Sequence, residues 1–320
     1  MNTPGNEHFT FKSADRKTDV HAYVWMPVTR ARPRAVIQLS HGMCEYVTRY
    51  DEWARRFTDA GYVFCGNDHL GHGQTAGGLE NLGYTVARGG ADFLVEDLHT
   101  MTAWIRKRFP GVPIVLYGHS MGSFAARLYL SRYGNELDAA LLSGTAGPEK
   151  PTGVALALAH RIARKEGDRA RNRFLTSLAF GSYNKHYRQE NDPVSWLTRD
   201  PAVREAYRND PYCTFTFTAA GYDTLFSLLS AVSAKEWAKK VPAGLPVFLF
   251  AGDGDPVGNY GRGVLKVAAR LKKAGCADVR CKIYPGGRHE LHNETCRDEV
   301  FGDLTAFLAD VLEKGEKSES

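Results

Sequence analysis

The sequence predicts an α/β fold: a mostly parallel sheet of roughly eight strands with helices on both faces and one helical insertion. Three observations predict it. Short continuous apolar runs such as "AVIQLS" (35–40) and "LPVFLFAGD" (245–253) suit strands covered on both faces. These runs alternate with segments of helical period, as parallel crossover units require. Between 147 and 222 the alternation disappears.

Taken in order, "HFTFKS" (8–13) and "VHAYVWM" (20–26) alternate like antiparallel edge strands, and "AVIQLS" follows as a buried strand. A helix is expected over Arg49–Ala60 with Gly61 as its stop, then a strand in "YVFCGND" (62–68). From Asp92 to Phe109 the residues Leu94, Leu98, Met101 and Ile105 recur at helical steps, and Pro110-Gly111 ends the pattern. A strand at 113–117, a helix from Ser120 to about Tyr133 and a strand in "DAALLSG" (138–144) complete the first half. After the insertion the core resumes with a helix near 223–240, a strand in "LPVFLFAGD", a helix near 262–274, a strand in "VRCKIYPGG" (279–287) and a helix near 295–313. The domain reading is a core of 1–146 and 223–320 with a helical cap at 147–222. The cap contains three Asp-Pro steps, many aromatics and one alternating stretch that reads as a strand, "TFTFT" (214–218). The polar tail "EKGEKSES" is expected to fray.

Composition narrows the function. A net charge of +5 on 320 residues is too mild for a dedicated nucleic-acid binder. No run of 18 apolar residues exists to span a membrane, and the first 25 residues hold no apolar signal core, so the expected location is cytoplasmic. Six cysteines show neither a CxxC pair nor zinc spacing and read as free, mostly buried thiols. "HELH" lacks the i, i+4 zincin spacing, no P-loop occurs, and "GHGQTAG" (71–77) fits a dinucleotide loop only loosely because no helix opens after it. No metal or cofactor is expected. The basic cluster Arg161, Arg164, Lys165, Arg169, Arg171 and Arg173 adjoins the apolar "VALALA". It reads either as a solvated helix face or as peripheral contact with anionic lipid.

Chemistry concentrates at "IVLYGHSMGSF" (114–124), where Gly-His-Ser-Met-Gly lies between a strand and a helix. A GxSxG turn there lifts the Ser120 hydroxyl out over the sheet. Serine needs a histidine to take its proton, and the histidine needs a carboxylate to fix its tautomer. The expected order is Ser, acid, His, on loops after late strands. Asp253 and Asp255 follow one such strand, and His289 and His292 follow the next. The oxyanion formed by attack needs two amide donors: one from Met121, the other from the loop "SHGMCE" (40–45), where His41-Gly42 leads into Met43.

Five segments in order, "HGMCEYVTRYDEWA" (41–54), "NDHLGHGQTAG" (67–77), "YGHSMGS" (117–123), "AGDGDPVG" (251–258) and "YPGGRHELHNE" (284–294), resemble the monoglyceride lipase and lysophospholipase branch of the α/β-hydrolases. The resemblance spans about 35–310, with the cap similar in position only. It implies Ser120 as nucleophile, Asp255 rather than Asp253 as the acid, His289 rather than His292 as the base, and the Met43 and Met121 amides as oxyanion donors. It further implies polar contacts on the alcohol side from Glu45, Arg49 and His292. The activity implied is hydrolysis of medium- or long-chain acyl esters, of monoacylglycerol or lysophospholipid type, without cofactor. Met43 is bulkier than the small residue usual at its place, and Tyr46 replaces the usual histidine; both bear on head-group preference. An aminopeptidase or thioesterase could use the same triad, and an aminopeptidase would need cap carboxylates such as Glu190 or Glu205 facing the site. A non-catalytic binding module on the same fold is the remaining alternative.

Overall fold

The structure, a computed structural model, describes residues 6–28, 31–148 and 152–319. Eight strands form one sheet in the order β1-β2-β4-β3-β5-β6-β7-β8. They are β1 (Asn6–Lys12), β2 (Asp19–Trp25), β3 (Val36–Ser40), β4 (Val63–Asn67), β5 (Ile114–His119), β6 (Ala139–Ser143), β7 (Val247–Gly252) and β8 (Val279–Tyr284). β2 runs against both β1 and β4, and every pair from β4 to β8 is parallel.

Two-sided burial explains the continuous apolar runs. Along β5, Ile114 and Leu116 enter one core, while Val115 and Tyr117 enter the other. The first core is closed by α2 (Gly90–Arg108), α3 (Met121–Tyr133), α7 (Ala219–Ser233) and α8 (Arg262–Lys273). The second is closed by α1 (Asp51–Asp59) and α9 (Arg297–Glu319). Among the polar side chains buried on this side, Gln38 donates to Leu98 O at 2.8 Å and accepts from Thr102 Oγ1 at 2.7 Å. A buried amide is tolerated only when it is satisfied in this way.

Several sequence expectations move slightly. The helix expected from Arg49 begins as a 3-10 turn over Val47–Tyr50 before α1, and it does stop at Gly61, where φ is +87°. "TFTFT" forms no strand: Thr218 caps α7, its side chain accepting from Gly221 N–H, so that helix starts at Ala219 rather than near 223. The tail continues α9 to Glu319 instead of fraying, and Ser320 lies outside the described residues. "GHGQTAG" makes a short 3-10 turn, with Gln74 N–H donating to the buried Asp68 at 2.9 Å, and opens no α-helix. The insertion supplies α4 (Thr152–Glu166), α5 (Arg173–Phe180) and α6 (Pro201–Asn209), although residues 149–151 at its start lie outside the description. Asn172 and Asp200 cap α5 and α6 through their side chains.

β3 leads to β4 on one side and β5 leads to β6 on the other, so the loops after β3 and β5 diverge. Such a reversal opens a crevice at the carboxyl ends of the strands, where α/β sheets bind ligands. Gly122, in the first turn of α3, packs so tightly beneath this crevice that a Cβ there would collide with the carbonyl oxygens of Ser40 and His41. Those oxygens belong to backbone that cannot swing aside. Gly122→Ala should therefore destabilise the protein by about 2 kcal/mol or more, as overpacking does. Gly302, in α9 with open space around it, is the control. Gly302→Ala should add about 0.5–1 kcal/mol. Urea midpoints of the two variants check both signs.

Candidate active site

Ser120 stands between β5 and α3 with φ 52° and ψ −123°, a conformation that L-residues rarely adopt. It is held there by its own backbone: Ser120 N–H donates to Ser143 O on β6 at 3.0 Å, and Ser120 O accepts from Ser123 N–H at 2.9 Å and Ser123 Oγ at 2.6 Å. The side chain is thereby lifted off the sheet.

His289 and Asp255 reach it from the loops after β8 and β7. His289 Nδ1 lies 2.9 Å from Asp255 Oδ1. A carboxylate can only accept, so Nδ1 carries the proton and Nε2 is left as an acceptor. Ser120 Oγ lies 2.8 Å from that Nε2. Asp255 is fully buried, and the same oxygen also accepts from Val257 N–H at 2.9 Å. Asp253, the other candidate, is exposed and accepts from Gly286 N–H at 2.6 Å, so it ties the two loops together without touching the histidine. Gly144, in left-handed backbone after β6, makes room for the imidazole, since a Cβ there would press on His289 Nδ1 and Cε1.

Electrostatics separates His289 from its neighbours. Burial pushes His69 down to about 3, His72 to about 4 and His292 to about 3, and holds His41 and His119 well below the ordinary imidazole range. Burial also works to lower His289, but the charge and hydrogen bond of Asp255 outweigh it, and the net shift is upward. His292 stacks on Tyr50 with ring centroids 4.4 Å apart and does not line the cavity described below.

The loop after β3 faces Ser120 across the crevice, where a Cβ on Gly42 would touch that of Ser120 at 3.0 Å. Its backbone is tightly steered. His41 Nδ1 lies 2.8 Å from Gly42 O, and His41 Nε2 accepts from His69 N–H at 2.9 Å. With Nε2 accepting, Nδ1–H is the donor, and it pins the carbonyl of the Gly42–Met43 peptide. In a trans peptide the N–H points opposite to its carbonyl, so the orientation of Met43 N–H is set by His41. Met121 N–H is one of the unpaired amides of the first turn of α3. On the other side of the loop, Glu45 accepts from Gly42 N–H and from Tyr50 Oη at 2.8 Å.

Arg49 is fully committed elsewhere. It donates to Glu45 at 3.1 Å and in a fork to Glu290 at 2.7 Å and 2.7 Å, and its guanidinium lies 5.0 Å from the Tyr207 ring. Of the three residues expected on the alcohol side, Glu45 lines the cavity, whereas Arg49 and His292 do not. Glu290, which does line it, was not singled out in the sequence although it follows His289 directly. His41 was noted only as part of its loop; no sequence signal tells an orienting histidine from a filler.

Residues of the insertion, of α7 and of the loops after β3, β5 and β8 line a cavity of about 840 Å³ that includes Ser120. Leu158, Phe180 and Trp196 from the cap, with Phe226 and Leu229 from α7, give it mainly apolar walls, while Met43, Ser120 and His289 lie at its base. The cap also grips the histidine loop directly: His289 N–H donates to Trp196 O at 3.3 Å and Glu290 N–H to Leu197 O at 2.8 Å. Sequence alone carried no sign of this pairing. Glu190, a candidate for an α-ammonium, is paired with Arg288 at 2.5 Å and with Arg204, and Glu205 is exposed. Among the basic residues, Arg161, Arg164 and Lys165 project from α4 into solvent. Arg169 instead donates to Asn81 at 2.9 Å and stacks on Tyr84 at 4.0 Å, and Arg171 bonds the carbonyls of Thr216 and Leu82.

With this geometry in hand, likeness to known proteins is specific. The sequence model described as "Serine aminopeptidase, S33" matches residues 31–296. A monoacylglycerol lipase of Mycolicibacterium smegmatis is 32% identical over 294 residues, covering 90% of this chain and 92% of the relative. The monoglyceride lipase of Homo sapiens is 30% identical over 294 residues, covering 89% and 85%. A highly thermostable carboxyl esterase from Bacillus coagulans, solved in complex with glycerol, has a TM-score of 0.89 at 31% identity over 97% of this chain and 100% of that one. The chain therefore belongs to the serine aminopeptidase S33 family within the α/β-hydrolase fold, and it is a serine hydrolase acting on esters.

Proposed function

We propose that the enzyme cleaves medium- or long-chain acyl esters, of monoacylglycerol or lysophospholipid type, through an acyl-enzyme on Ser120. The observation that carries this reading is the Ser120–His289–Asp255 hydrogen-bond chain opening into a mainly apolar cavity of about 840 Å³. The monoacylglycerol lipases among the relatives, and the glycerol bound to the related esterase, support the choice of alcohol.

In the proposed mechanism, Ser120 Oγ gives its proton to His289 Nε2 as it attacks the ester carbonyl. Asp255 stabilises the imidazolium and keeps the productive tautomer. Negative charge gathers on the former carbonyl oxygen, which the Met43 and Met121 amides receive; each such donor contributes about 3–4 kcal/mol to the barrier. His289 then protonates the departing alcohol. Water, deprotonated by His289, releases the acyl group from Ser120. Glu45, at the cavity wall beside Gly42, is the remaining candidate for contact with the alcohol.

The aminopeptidase reading meets an obstacle. It needs a free carboxylate to hold an α-ammonium, yet Glu190 is neutralised by two arginines, and Glu45 and Glu290 share Arg49. Turnover of p-nitrophenyl esters without turnover of aminoacyl-anilides separates the two readings; the opposite preference overturns the esterase.

Membrane contact is part of the proposal. Val154, Phe174 and Leu178 are 65%, 58% and 47% exposed and line the cavity, and α4, which carries Val154, also carries the exposed Arg161, Arg164 and Lys165. Exposed apolar side chains with cations on α4 suit the surface of an anionic bilayer through which an acyl ester would enter.

Five expectations follow for the purified enzyme. Ser120→Ala should abolish turnover by several powers of ten without changing the melting temperature by more than a few degrees, and substantial residual activity excludes Ser120 as nucleophile. The acid limb of kcat/KM should have its midpoint above 6.5, because His289 acts only when unprotonated and its pKa is raised. In Asp255→Asn the limb should move to lower pH and kcat should fall by about 10⁴, far more than in Asp253→Asn. Each methylene added to the acyl chain should raise kcat/KM about fourfold until the cavity is filled, the equivalent of about 0.8 kcal/mol per methylene. Replacing Arg161, Arg164 and Lys165 together by Gln should weaken partition onto phosphatidylserine vesicles by about 100-fold, at about 1 kcal/mol per basic residue. Unchanged partition returns these three residues to the role of a solvated helix face.

A further inference from the structure

The Arg49 fork joins two loops that carry opposite halves of the chemistry. Glu290 directly follows His289, and Glu45 accepts the N–H of Gly42, the residue before Met43. One guanidinium spans them, forked to Glu290 and single to Glu45, across 241 positions of sequence. All three side chains are out of solvent, at 12%, 3% and 4% exposure for Arg49, Glu45 and Glu290.

We propose that Glu290, acting through Arg49 and Glu45, is a positioning residue that couples the oxyanion loop to the histidine loop. The inference rests on the mechanism proposed above. A planar fork transmits orientation as well as charge, because both N–H···O bonds hold only while guanidinium and carboxylate stay coplanar. Glu290 is itself immobilised: its Oε2 also accepts from Asn293 Nδ2 at 2.9 Å, and its N–H is held by Leu197 O of the cap. From that fixed point the chain of contacts runs Glu290, Arg49, Glu45, Gly42. Tyr50 Oη holds the same Glu45 oxygen, and the Tyr207 ring of α6 lies against Arg49. Any movement of the histidine loop is therefore felt at the peptide that precedes the Met43 donor.

The arrangement also bears on the charge of the site. Two carboxylates share one cation in a buried cluster. Burial works to raise Glu290, yet Arg49 overrides it and keeps Glu290 low. Burial raises Glu45, with the Glu290 charge adding to the effect and Arg49 opposing it. The groups facing His289 are Asp255 on its Nδ1, the carboxylates of Glu290 and Glu45, the neutral His119 and His292, and the Trp196 ring from the cap. Removing the charge of Glu290 takes away one of the anions that favour the imidazolium.

Glu290→Gln is the informative change, read by kcat and KM on a short p-nitrophenyl ester, by inhibition with an alkyl boronic acid, and by the pH profile. A boronate on Ser120 adopts the tetrahedral geometry of the transition state and so reports on donor alignment. Loss of the coupling should lower kcat about 10- to 100-fold, short of the roughly 10²–10³ for removing an oxyanion donor outright. KM should stay within about twofold, the boronate inhibition constant should rise by the same factor as kcat falls, and the acid limb should move to lower pH. Unchanged kcat overturns the proposal, as does a fall in kcat with boronate affinity and acid limb unmoved. If Glu290→Gln does not fold, Arg49→Lys keeps the cation, loses the fork and is read for the same kcat and boronate effects. Failure of both variants to fold makes the pair purely structural and equally overturns the proposal. Wild-type turnover of the ester and its loss in Ser120→Ala, measured alongside, test the mechanism itself, so a failure there is told apart from a failure of the coupling.

Discussion

The strained turn at Ser120 is the constraint around which the rest of the molecule is arranged. A serine at φ 52° costs on the order of 1–3 kcal/mol and persists only where its surroundings over-determine it. Those surroundings are visible on every side. β6 supplies the carbonyl that holds Ser120 N–H, and Ser123 grips its carbonyl from within α3. β3 presses its last carbonyls against Gly122, and Gly144 leaves the notch that His289 fills. Four strands of the sheet, β3, β5, β6 and β8, thus converge on one peptide. The hydrophobic packing of the two cores keeps those strands in register, so core stability and site geometry are a single property.

The same constraint explains why the core could be read from sequence. Ser120 and Asp255 follow β5 and β7, which are buried along their whole length and announce themselves as short apolar runs, whereas β8, at the sheet edge before His289, is half-buried along its middle; all three are followed by Gly, Asp or His. "YGHSMGS", "AGDGDPVG" and "YPGGRHELHNE" carry that local signature. The choice between His289 and His292 is different in kind. Both are buried within the same loop, and only the partner decides: Asp255 raises one, while the other, stacked on Tyr50, is held low by burial. No local pattern encodes a contact between residues 34 positions apart, so spacing alone left both histidines open. Arg49 is the reverse case. Resemblance suggested contact with the alcohol, whereas the structure turns it to Glu290, a neighbour 241 residues away.

The cap was legible only as a loss of alternation, and the reason is physical. Its apolar residues face a cavity rather than a sheet, and its attachments combine side-chain pairs with backbone bonds such as those at Trp196 and Leu197. Glu190 with Arg288, Arg199 with Glu294, and Tyr187 with Gly254 O fasten one part of it to the loops that bear His289 and Asp255. Charge pairs of this kind have no periodicity to detect.

Those attachments divide the cap into two parts with separate duties. The part from about Tyr187 to Asp210 is fastened by ion pairs and by backbone bonds at Trp196 and Leu197, so it belongs mechanically to the loop that bears His289. The helices α4 and α5 line the cavity with apolar residues, leave Val154, Phe174 and Leu178 in water, and tie to α7 through His160 with Asp223 and through Thr176 Oγ1, which accepts from Tyr222 Oη at 3.0 Å. These polar ties run to α7 and not to the loops that bear His289 and Asp255, so α4 and α5 can change sequence or spacing while the distances at Ser120 stay fixed. The directional bonds of the second part allow no such freedom, because a shift at Leu197 is a shift at Glu290 and hence at its neighbour His289. Selection among acyl chains can therefore vary in one half of the cap, while the other half holds the chemistry constant.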